Sequence, residues 1–240
     1  MSLQAVLFDF NGVIVNDEAL HEELFAELML SENLRLFPQD FREVCLGRSD
    51  RAALRALLGR RGRVATDAYL DQLIAKKAQA YQQRVSEWST VPSYPDVPEF
   101  ITQLQTQGIL TALVTGATRA DIEAVLARLE LADCFAVSVT GDEARRSKPD
   151  PYSYHLALER LNRQFPERQI KPQHCLAIEQ APAGISAAKQ AGIQVVGVAN
   201  TYPFHMLQRL ANWTVDRLGE IELERVEQVV AHSCSQARNS

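Results

Sequence analysis

The chain of 240 residues lacks the features that mark several specialised classes of protein. Its few cysteines form no C-x-x-C pair and have no histidine at the spacing of a zinc ligand; they are Cys45, Cys134, Cys175 and Cys234. We therefore expect neither a disulfide scaffold nor a zinc module, and the pattern is typical of reduced thiols in the cytoplasm. No apolar run approaches the roughly 18 residues of a membrane span, and the first residues form no signal-peptide pattern. These absences predict a cytoplasmic protein with no membrane partner.

Basic residues are also scarce relative to acidic ones. The sequence has 25 Lys and Arg against 30 Asp and Glu, which gives a formal net charge of −5. A general nucleic-acid partner would require a basic surface, so we expect none. The hydrophobic content of 46% and the charged content of 23% are ordinary for a globular protein. The length suffices for one large domain or for a domain with a sizeable insertion, and the oligomeric state stays open.

Helical and strand-like segments are unevenly distributed along the chain. Residues 18–88 carry apolar side chains at helical spacing, as in Leu20, Leu24 and Leu28, and no strand-like run interrupts them. After a proline-rich stretch at residues 91–98, helices alternate with short apolar strands. These strands are predicted at residues 109–114, 135–139, 175–178 and 195–198. Such alternation predicts an α/β fold with a Rossmann-like parallel sheet and helices on both faces.

The helical segment comes directly after a first strand that ends near residue 8. This order predicts an α/β core domain formed by residues 1–16 and 92–240. Residues 17–91 are then an inserted helical domain, which would cover the carboxyl edge of the sheet as a cap.

Polar residues follow four of the predicted strands. Asp9 ends the first apolar run, and Thr115 with Gly116 ends the second. Lys148 follows the third strand, and Glu179 with Gln180 ends the fourth. Because the carboxyl ends of parallel strands share one edge of a sheet, we expect these side chains to lie close together.

The segments that carry these residues resemble, in order, the four motifs of the haloacid dehalogenase-like (HAD) phosphotransferases. They are D-F-N-G-V, L-V-T-G, S-K-P-D-P and E-Q-A-P-A-G-I-S-A-A-K-Q-A-G. The chain is similar over essentially its whole length to the β-phosphoglucomutase-like subgroup, which has a helical cap after the first motif. The resemblance implies a HAD core with that cap and a phosphoryl-transfer site.

The resemblance also implies a role for each strand-end residue. Asp9 would attack phosphorus and form an aspartyl-phosphate, while Thr115 and the Gly116 N–H bind phosphate oxygens. Lys148 would neutralise the developing charge. Mg²⁺ would be held by Asp9, the backbone carbonyl at position 11 and the acidic positions of the fourth motif, which here are Glu179 and Gln180. For Thr115, the alternative is that its side chain caps the following helix.

Three positions that are usually acidic in the subgroup carry amides here. Asn11 stands where most members have a second Asp that protonates the leaving group, and an amide cannot transfer that proton. This change would remove about 10²- to 10⁴-fold of general acid–base catalysis. Gln180 removes a negative charge from the cation site and would weaken Mg²⁺ binding. Asn16 is the third, with Asp17 beside it.

Three residues of the predicted cap match positions that face the substrate in related enzymes. They are His21, Arg48 and Ser49. The alternatives are a surface salt bridge for Arg48 and a partly buried helical histidine for His21. Six arginines fall between residues 48 and 63, and we expect most of them on a solvated helix face.

These observations favour a Mg²⁺-dependent phosphatase acting on a small phosphorylated metabolite, for which a sugar phosphate is one candidate. Asn11 and Gln180 would weaken its activity. The first alternative is a catalytically impaired pseudo-phosphatase that binds a phosphometabolite or a protein partner. The second is a metal-independent hydrolase of the dehalogenase kind. A phosphomutase is disfavoured, because it needs the acid–base residue in both directions.

Overall fold

A parallel β-sheet lies at the centre of the molecule. The structure is a computed structural model that describes residues 3–236 and the side chains of residues 3–231. The strands are Ala5–Phe8 (β1), Leu110–Val114 (β2), Val137–Val139 (β3), Cys175–Glu179 (β4), Gln194–Val198 (β5) and Trp213–Val215 (β6). They form one six-stranded sheet in the order β3-β2-β1-β4-β5-β6, in which every pairing is parallel. The predicted α/β fold with a Rossmann-like parallel sheet is confirmed.

Strand β6 is absent from the sequence-based prediction, which ended at the fifth strand. It has only three residues, all of them half-buried, and it forms the edge of the sheet beside β5. A short edge strand with a polar residue at its centre lacks the apolar run that identifies buried strands. The other predicted strands are present, with ends that differ by one or two residues; β3, for example, begins at Val137 and not at Phe135.

Four helices follow β1 in the sequence within residues 18–88, and we refer to them as the helical block. They are Glu18–Ser31 (α1), Pro38–Asp40 (α2, continued by a π-helical turn at Phe41–Cys45), Asp50–Arg60 (α3) and Asp67–Glu87 (α4). Residues 18–88, all of which the structure describes, contain no strand. The block has an apolar cluster of its own that includes Phe25, Leu54 and Leu70. The domain boundaries at residues 16–17 and 91–92 stay a prediction.

The chain enters and leaves the helical block at adjacent points. The Asn16 N–H donates to the Pro92 carbonyl at 2.7 Å, and the Tyr94 N–H donates to the Ile14 carbonyl at 3.1 Å. Val15 also forms an antiparallel bridge with Ser93. Two connecting segments, which are hydrogen-bonded to each other, therefore join the helical block to the sheet.

Helices cover both faces of the sheet. They are Val97–Thr106 (α5), Arg119–Leu129 (α6), Tyr152–Gln164 (α7), Pro182–Gln190 (α8), Phe204–Leu207 (α9) and Leu223–Gln236 (α10). Neighbouring residues of a strand point to opposite faces. Accordingly, Val6 and Phe8 pack into the apolar cluster of one face, and Ala5 and Leu7 into that of the other. Burial on both sides explains why β1 is apolar throughout and delivers its first polar side chain at Asp9.

Cys45, Cys134 and Cys175 are free thiols. The side chain of Cys234 lies outside the described residues. In the described part of the chain, no helix is both long and apolar enough to span a membrane.

Candidate active site

Asp9 follows β1 directly and is almost completely buried. Its backbone N–H donates to the Ile178 carbonyl on β4 at 2.9 Å, which extends the parallel ladder by one residue. Its Oδ1 accepts a hydrogen bond from the Phe10 backbone N–H at 2.9 Å and lies 3.1 Å from the Nζ of Lys148. The carboxylate therefore has a defined orientation, and its charge is compensated.

Lys148 connects the ends of three strands. Besides the contact with Asp9, its Nζ donates to the Val114 carbonyl on β2 at 2.8 Å and to Glu179 Oε1 on β4 at 2.6 Å. Burial alone would lower the pKa of this ammonium group, but the carboxylates of Asp9 and Glu179 outweigh burial and raise it. The result is a fixed positive charge beside Asp9.

Glu179 is fully buried at the end of β4. Its Oε1 also accepts a hydrogen bond from the hydroxyl of Tyr154 at 2.6 Å, whereas its Oε2 has no partner among the described residues. Burial and the nearby Asp9 raise the pKa of Glu179 to about 8, although Lys148 acts in the opposite direction. Gly184 leaves the space for this side chain, because a Cβ at that position would overlap the carboxylate.

Thr115 and Gly116 follow β2 on the same edge of the sheet. The Thr115 N–H donates to the Val139 carbonyl at 3.0 Å, and its Oγ1 accepts from the Ala117 N–H at 3.0 Å. The capping residue of α6 is Thr118, so the alternative that Thr115 caps this helix is wrong. A Cβ at Gly116 would overlap the Arg48 carbonyl oxygen, which shows how closely the helical block approaches this strand end.

Asn11 and Gly12 form the turn after β1. Gly12 has a φ of +75°, and a Cβ there would lie 2.7 Å from both Glu18 Oε1 and Gln180 Cγ, so only glycine fits. The side chain of Asn11 faces the helical block, where its Nδ2 lies 3.0 and 2.9 Å from the two carboxylate oxygens of Asp17. The same nitrogen lies 3.0 Å from the Nε2 of His21.

The contacts of His21 extend this cluster into the block. Its ring stacks on Tyr81 with a centroid distance of 4.9 Å, and the Tyr81 hydroxyl donates to Asp17 Oδ2 at 2.6 Å. Its Nδ1 lies 2.9 Å from the Nζ of Lys77, which also donates to Asp50 Oδ2 at 2.9 Å. His21 is thus a mostly buried helical histidine, as in the alternative interpretation, and it also lines the cavity described below.

Arg48 and Ser49 occupy the loop before α3. Ser49 is the N-cap of that helix, where its hydroxyl accepts from the Ala52 N–H at 3.4 Å, and its own N–H donates to Ser147 Oγ at 2.8 Å. Arg48 has no ion pair with any described residue. The other arginines of this region pair with acidic side chains; they are Arg51, Arg55, Arg60, Arg61 and Arg63. Arg48 is therefore available to an anionic ligand.

A small cavity of about 50 Å³ lies between the sheet edge and the helical block. Of the predicted site residues, those that line it are Asp9, Asn11, His21, Arg48, Gly116 and Gln180. Thr115, Lys148, Glu179 and Ser49 do not line it. Lys148 contacts both Asp9 and Glu179. Ser49 contacts Ser147.

The oxygen atoms around this cavity fit a small hard cation. Gln180 Oε1 is buried and has no partner among the described residues, and the Asp9 carboxylate and the Asn11 carbonyl belong to the same edge. Carboxylate, amide and carbonyl oxygens are the ligands that Mg²⁺ prefers. Among the described residues, no three His, Cys, Asp or Glu side chains lie together in a way that could bind a metal ion. The amides at positions 11 and 180 therefore leave a donor set of low negative charge.

The family model for haloacid dehalogenase-like hydrolases matches residues 3–192. The chain belongs to this family. The HAD relatives include the β-phosphoglucomutase of Bacillus subtilis, which is 29% identical over 229 residues that cover 94% of this chain and 96% of the relative. The phosphorylated carbohydrates phosphatase of Thermotoga maritima is 28% identical, with 83% of this chain and 87% of the relative covered. Such relatives, together with the family, mark this HAD protein as an enzyme.

The fold of this HAD hydrolase is that of β-phosphoglucomutase. The crystal structure of the Clostridium difficile enzyme superposes with a TM-score of 0.83 and covers 97% of this chain and 99% of its own. Its sequence identity is 21%, so this likeness concerns the fold alone.

Several residues of the HAD site were missed by sequence reasoning, because their contacts join distant parts of the chain. Tyr154 contacts Glu179 from α7. From α4, Lys77 contacts His21 and Tyr81 contacts Asp17, and both of these are partners of Asn11. Glu18 lines the cavity, and burial, with Asp17 and Asp9 nearby, raises its pKa to about 7 despite a hydrogen bond from Thr201.

Proposed function

We propose that this HAD hydrolase is a Mg²⁺-dependent phosphatase of a small phosphorylated metabolite, with sugar phosphates as the substrate class. The observation that carries this proposal is the Asp9 carboxylate at the cavity wall, oriented by the Phe10 N–H and compensated by Lys148. One relative is by name a phosphatase of phosphorylated carbohydrates. We place the reaction in the cytoplasm on the ground of the free thiols alone.

In the proposed reaction an oxygen of Asp9 attacks phosphorus, and the bond between phosphorus and the leaving oxygen breaks. The leaving oxygen takes its proton from solvent or from a neighbouring acid, since Asn11 has none to give. Water then attacks the aspartyl-phosphate and releases inorganic phosphate and the carboxylate. Asp9, the Asn11 carbonyl and Gln180 would hold Mg²⁺ at the cavity, and the ion would neutralise charge on the phosphate. Glu179 is buried outside the cavity lining and would act on this site through Lys148 and Asp9.

Other residues would bind and enclose the substrate. The Thr115 hydroxyl and the Gly116 N–H are assigned to phosphate oxygens, and Lys148 to the charge that develops on them. The helical block is assigned the role of a cap, in which Arg48, a cavity residue without an ion pair to any described residue, would bind an anion and His21 would line the cavity. Ser49 would act mainly by placing the loop, since its hydroxyl already caps α3.

A binding role without turnover is the second candidate. It is supported by Asn11, whose amide is engaged by Asp17 and turned toward the block, and by Gln180, which lowers the negative charge available to a cation. In this case the protein would bind a phosphometabolite or a protein partner and release no phosphate.

Turnover is expected to depend steeply on the leaving group. Because Asn11 cannot protonate a departing alkoxide, acyl and aryl phosphates should react about 10²- to 10⁴-fold faster than sugar phosphates with the same Mg²⁺ concentration. The measurement is phosphate release by freshly purified protein over a series of aryl phosphates with graded leaving-group pKa, beside acetyl phosphate and hexose phosphates.

A rate that does not change with the leaving-group pKa would contradict this prediction. It would indicate another proton donor in the cavity, and the carboxyl group of Glu18 lines the cavity wall. Silence toward all phosphates, with binding of inorganic phosphate detected by calorimetry, would favour the second candidate. Halide release from a haloacid would instead support the dehalogenase alternative.

Gln180→Glu is expected to strengthen Mg²⁺ binding about tenfold or more, because it restores a carboxylate beside Asp9 without a change in side-chain length. The measurement is a Mg²⁺ titration by calorimetry, together with the Mg²⁺-dependent rise in Tm. Gln103→Glu, at an exposed position of α5, is the matched control for added charge. Equal affinities for wild type and Gln180→Glu would remove position 180 from the proposed cation site.

A further inference from the structure

The side chain of Asn11 is held by a carboxylate that the proposed reaction does not use. Asp17 is 2% exposed and lies where the chain enters the helical block. Both of its oxygens lie within hydrogen-bond distance of Asn11 Nδ2, at 3.0 and 2.9 Å. An amide NH₂ offers two protons and no charge, so this contact suits Asn at position 11.

The remaining partners of Asp17 are donors as well. The Tyr81 hydroxyl donates to Oδ2 at 2.6 Å, and His21 Nε2 lies 3.3 Å from the same oxygen. The direction of the His21 contact follows from Lys77, whose ammonium can only donate and therefore makes Nδ1 the acceptor. The proton of a neutral His21 then lies on Nε2, where Asp17 Oδ2 is the acceptor within reach. Asn11 Nδ2, 3.0 Å from Nε2, is itself a donor, so it donates to Asp17 and not to His21.

Asp17 is therefore surrounded by groups that stabilise its negative charge. No further acceptor can join this arrangement without displacing a donor. A carboxylate at position 11, which has the shape of Asn, would place an oxygen about 3 Å from both oxygens of Asp17. Asp17 is buried and position 11 is half-buried, so two carboxylates at that distance cannot both keep their charge and position.

We propose that Asp17 is the positioning residue that fixes both the identity and the orientation of the side chain at position 11. Asn11 and Asp17 are a matched amide–carboxylate pair, which turns the position-11 side chain to the helical block. An acid at position 11 can serve the proposed phosphatase reaction only when the charge at position 17 is removed. The catalytic part of this inference rests on the proposed function, whereas the pairing itself does not.

The test compares wild type with Asn11→Asp, Asp17→Asn and the double variant, which exchanges the two groups without changing either shape. Thermal unfolding is measured first, because it requires no activity. Asn11→Asp alone should lower the Tm by about 4–8 °C, and the double variant should recover at least half of that loss. Asp133→Asn, an exposed Asp→Asn change, should give no recovery when combined with Asn11→Asp.

Phosphate release from a hexose phosphate and from an aryl phosphate gives the second readout. Asn11→Asp alone should stay close to wild type, and the double variant should gain about 10²-fold in kcat for the hexose phosphate. The gain should be far smaller for the aryl phosphate, which needs no proton; a merely structural repair would raise both rates alike.

Additive effects on Tm would overturn the pairing, whatever the rates. A full gain of activity by Asn11→Asp alone would overturn the requirement for removing charge at position 17. If the Tm effects are coupled and all four proteins release no phosphate, the pairing is upheld and the proposed phosphatase function is what fails.

Discussion

Asp9→Asn is expected to reduce Mg²⁺-dependent phosphate release by roughly 10⁴-fold or more. The amide keeps the shape of the side chain and the acceptor for the Phe10 N–H, but it cannot form an acyl phosphate. Rates would be measured with an aryl phosphate, for which the effect of Asn11 is smallest.

A covalent readout separates this loss from a loss of folding. Acid-quenched wild type should yield a peptide phosphorylated on Asp9, detected by mass spectrometry, and Asp9→Asn should not. Asp133→Asn, at an exposed position, is the matched control and should retain both the rate and the phosphorylated peptide. A variant at position 9 that folds and still turns over would assign the nucleophile to another group.

Lys148→Met is expected to lower the Tm by roughly 10 °C or more. The substitution removes the only ammonium that contacts Asp9 and Glu179 within the described residues, and both carboxylates are buried. An uncompensated buried charge is far more costly than the loss of an exposed ion pair. Thermal unfolding of Lys171→Met, an exposed lysine, provides the control.

A second substitution identifies the cause of this instability. Lys148→Met combined with Glu179→Gln removes one of the two buried carboxyl groups that lose their lysine partner, and it keeps an acceptor for the Tyr154 hydroxyl. The double variant should therefore regain a substantial part of the lost Tm. If it is less stable than Lys148→Met alone, packing around the lysine stem, and not its charge, is what the sheet edge requires.

The sheet was predictable because its strands are buried on both faces and hence apolar throughout. Strand ends follow from the same pattern, which is why Asp9, Lys148 and Glu179 could be expected at one edge before any distance was known. Strand β6 has no such pattern, since its three residues are half-buried at the edge of the sheet. The family resemblance added the residue roles, which stay proposals.

The partners of Asn11 could not be predicted from the sequence. Asp17 is close in the chain, but Tyr81 and Lys77 reach the same cluster from α4 across the width of the helical block. Such contacts depend on how α1 and α4 pack against each other. The local pattern of apolar residues in each helix does not predict which polar side chains meet where the two helices are in contact. Ser49 shows the reverse case, because its position in the loop was anticipated and its hydroxyl serves helix capping.

The close approach of the Arg48 carbonyl to Gly116 and the hydrogen bond from Ser49 to Ser147 close the cavity on the side of the loop. The cavity volume of about 50 Å³ is far below the roughly 300 Å³ at which ligand pockets begin. A hexose phosphate therefore does not fit in the cavity of this conformation, and we expect the helical block to move away from the sheet edge when it binds. We therefore expect a complex to form more readily in solution before crystallisation than by soaking crystals of this form.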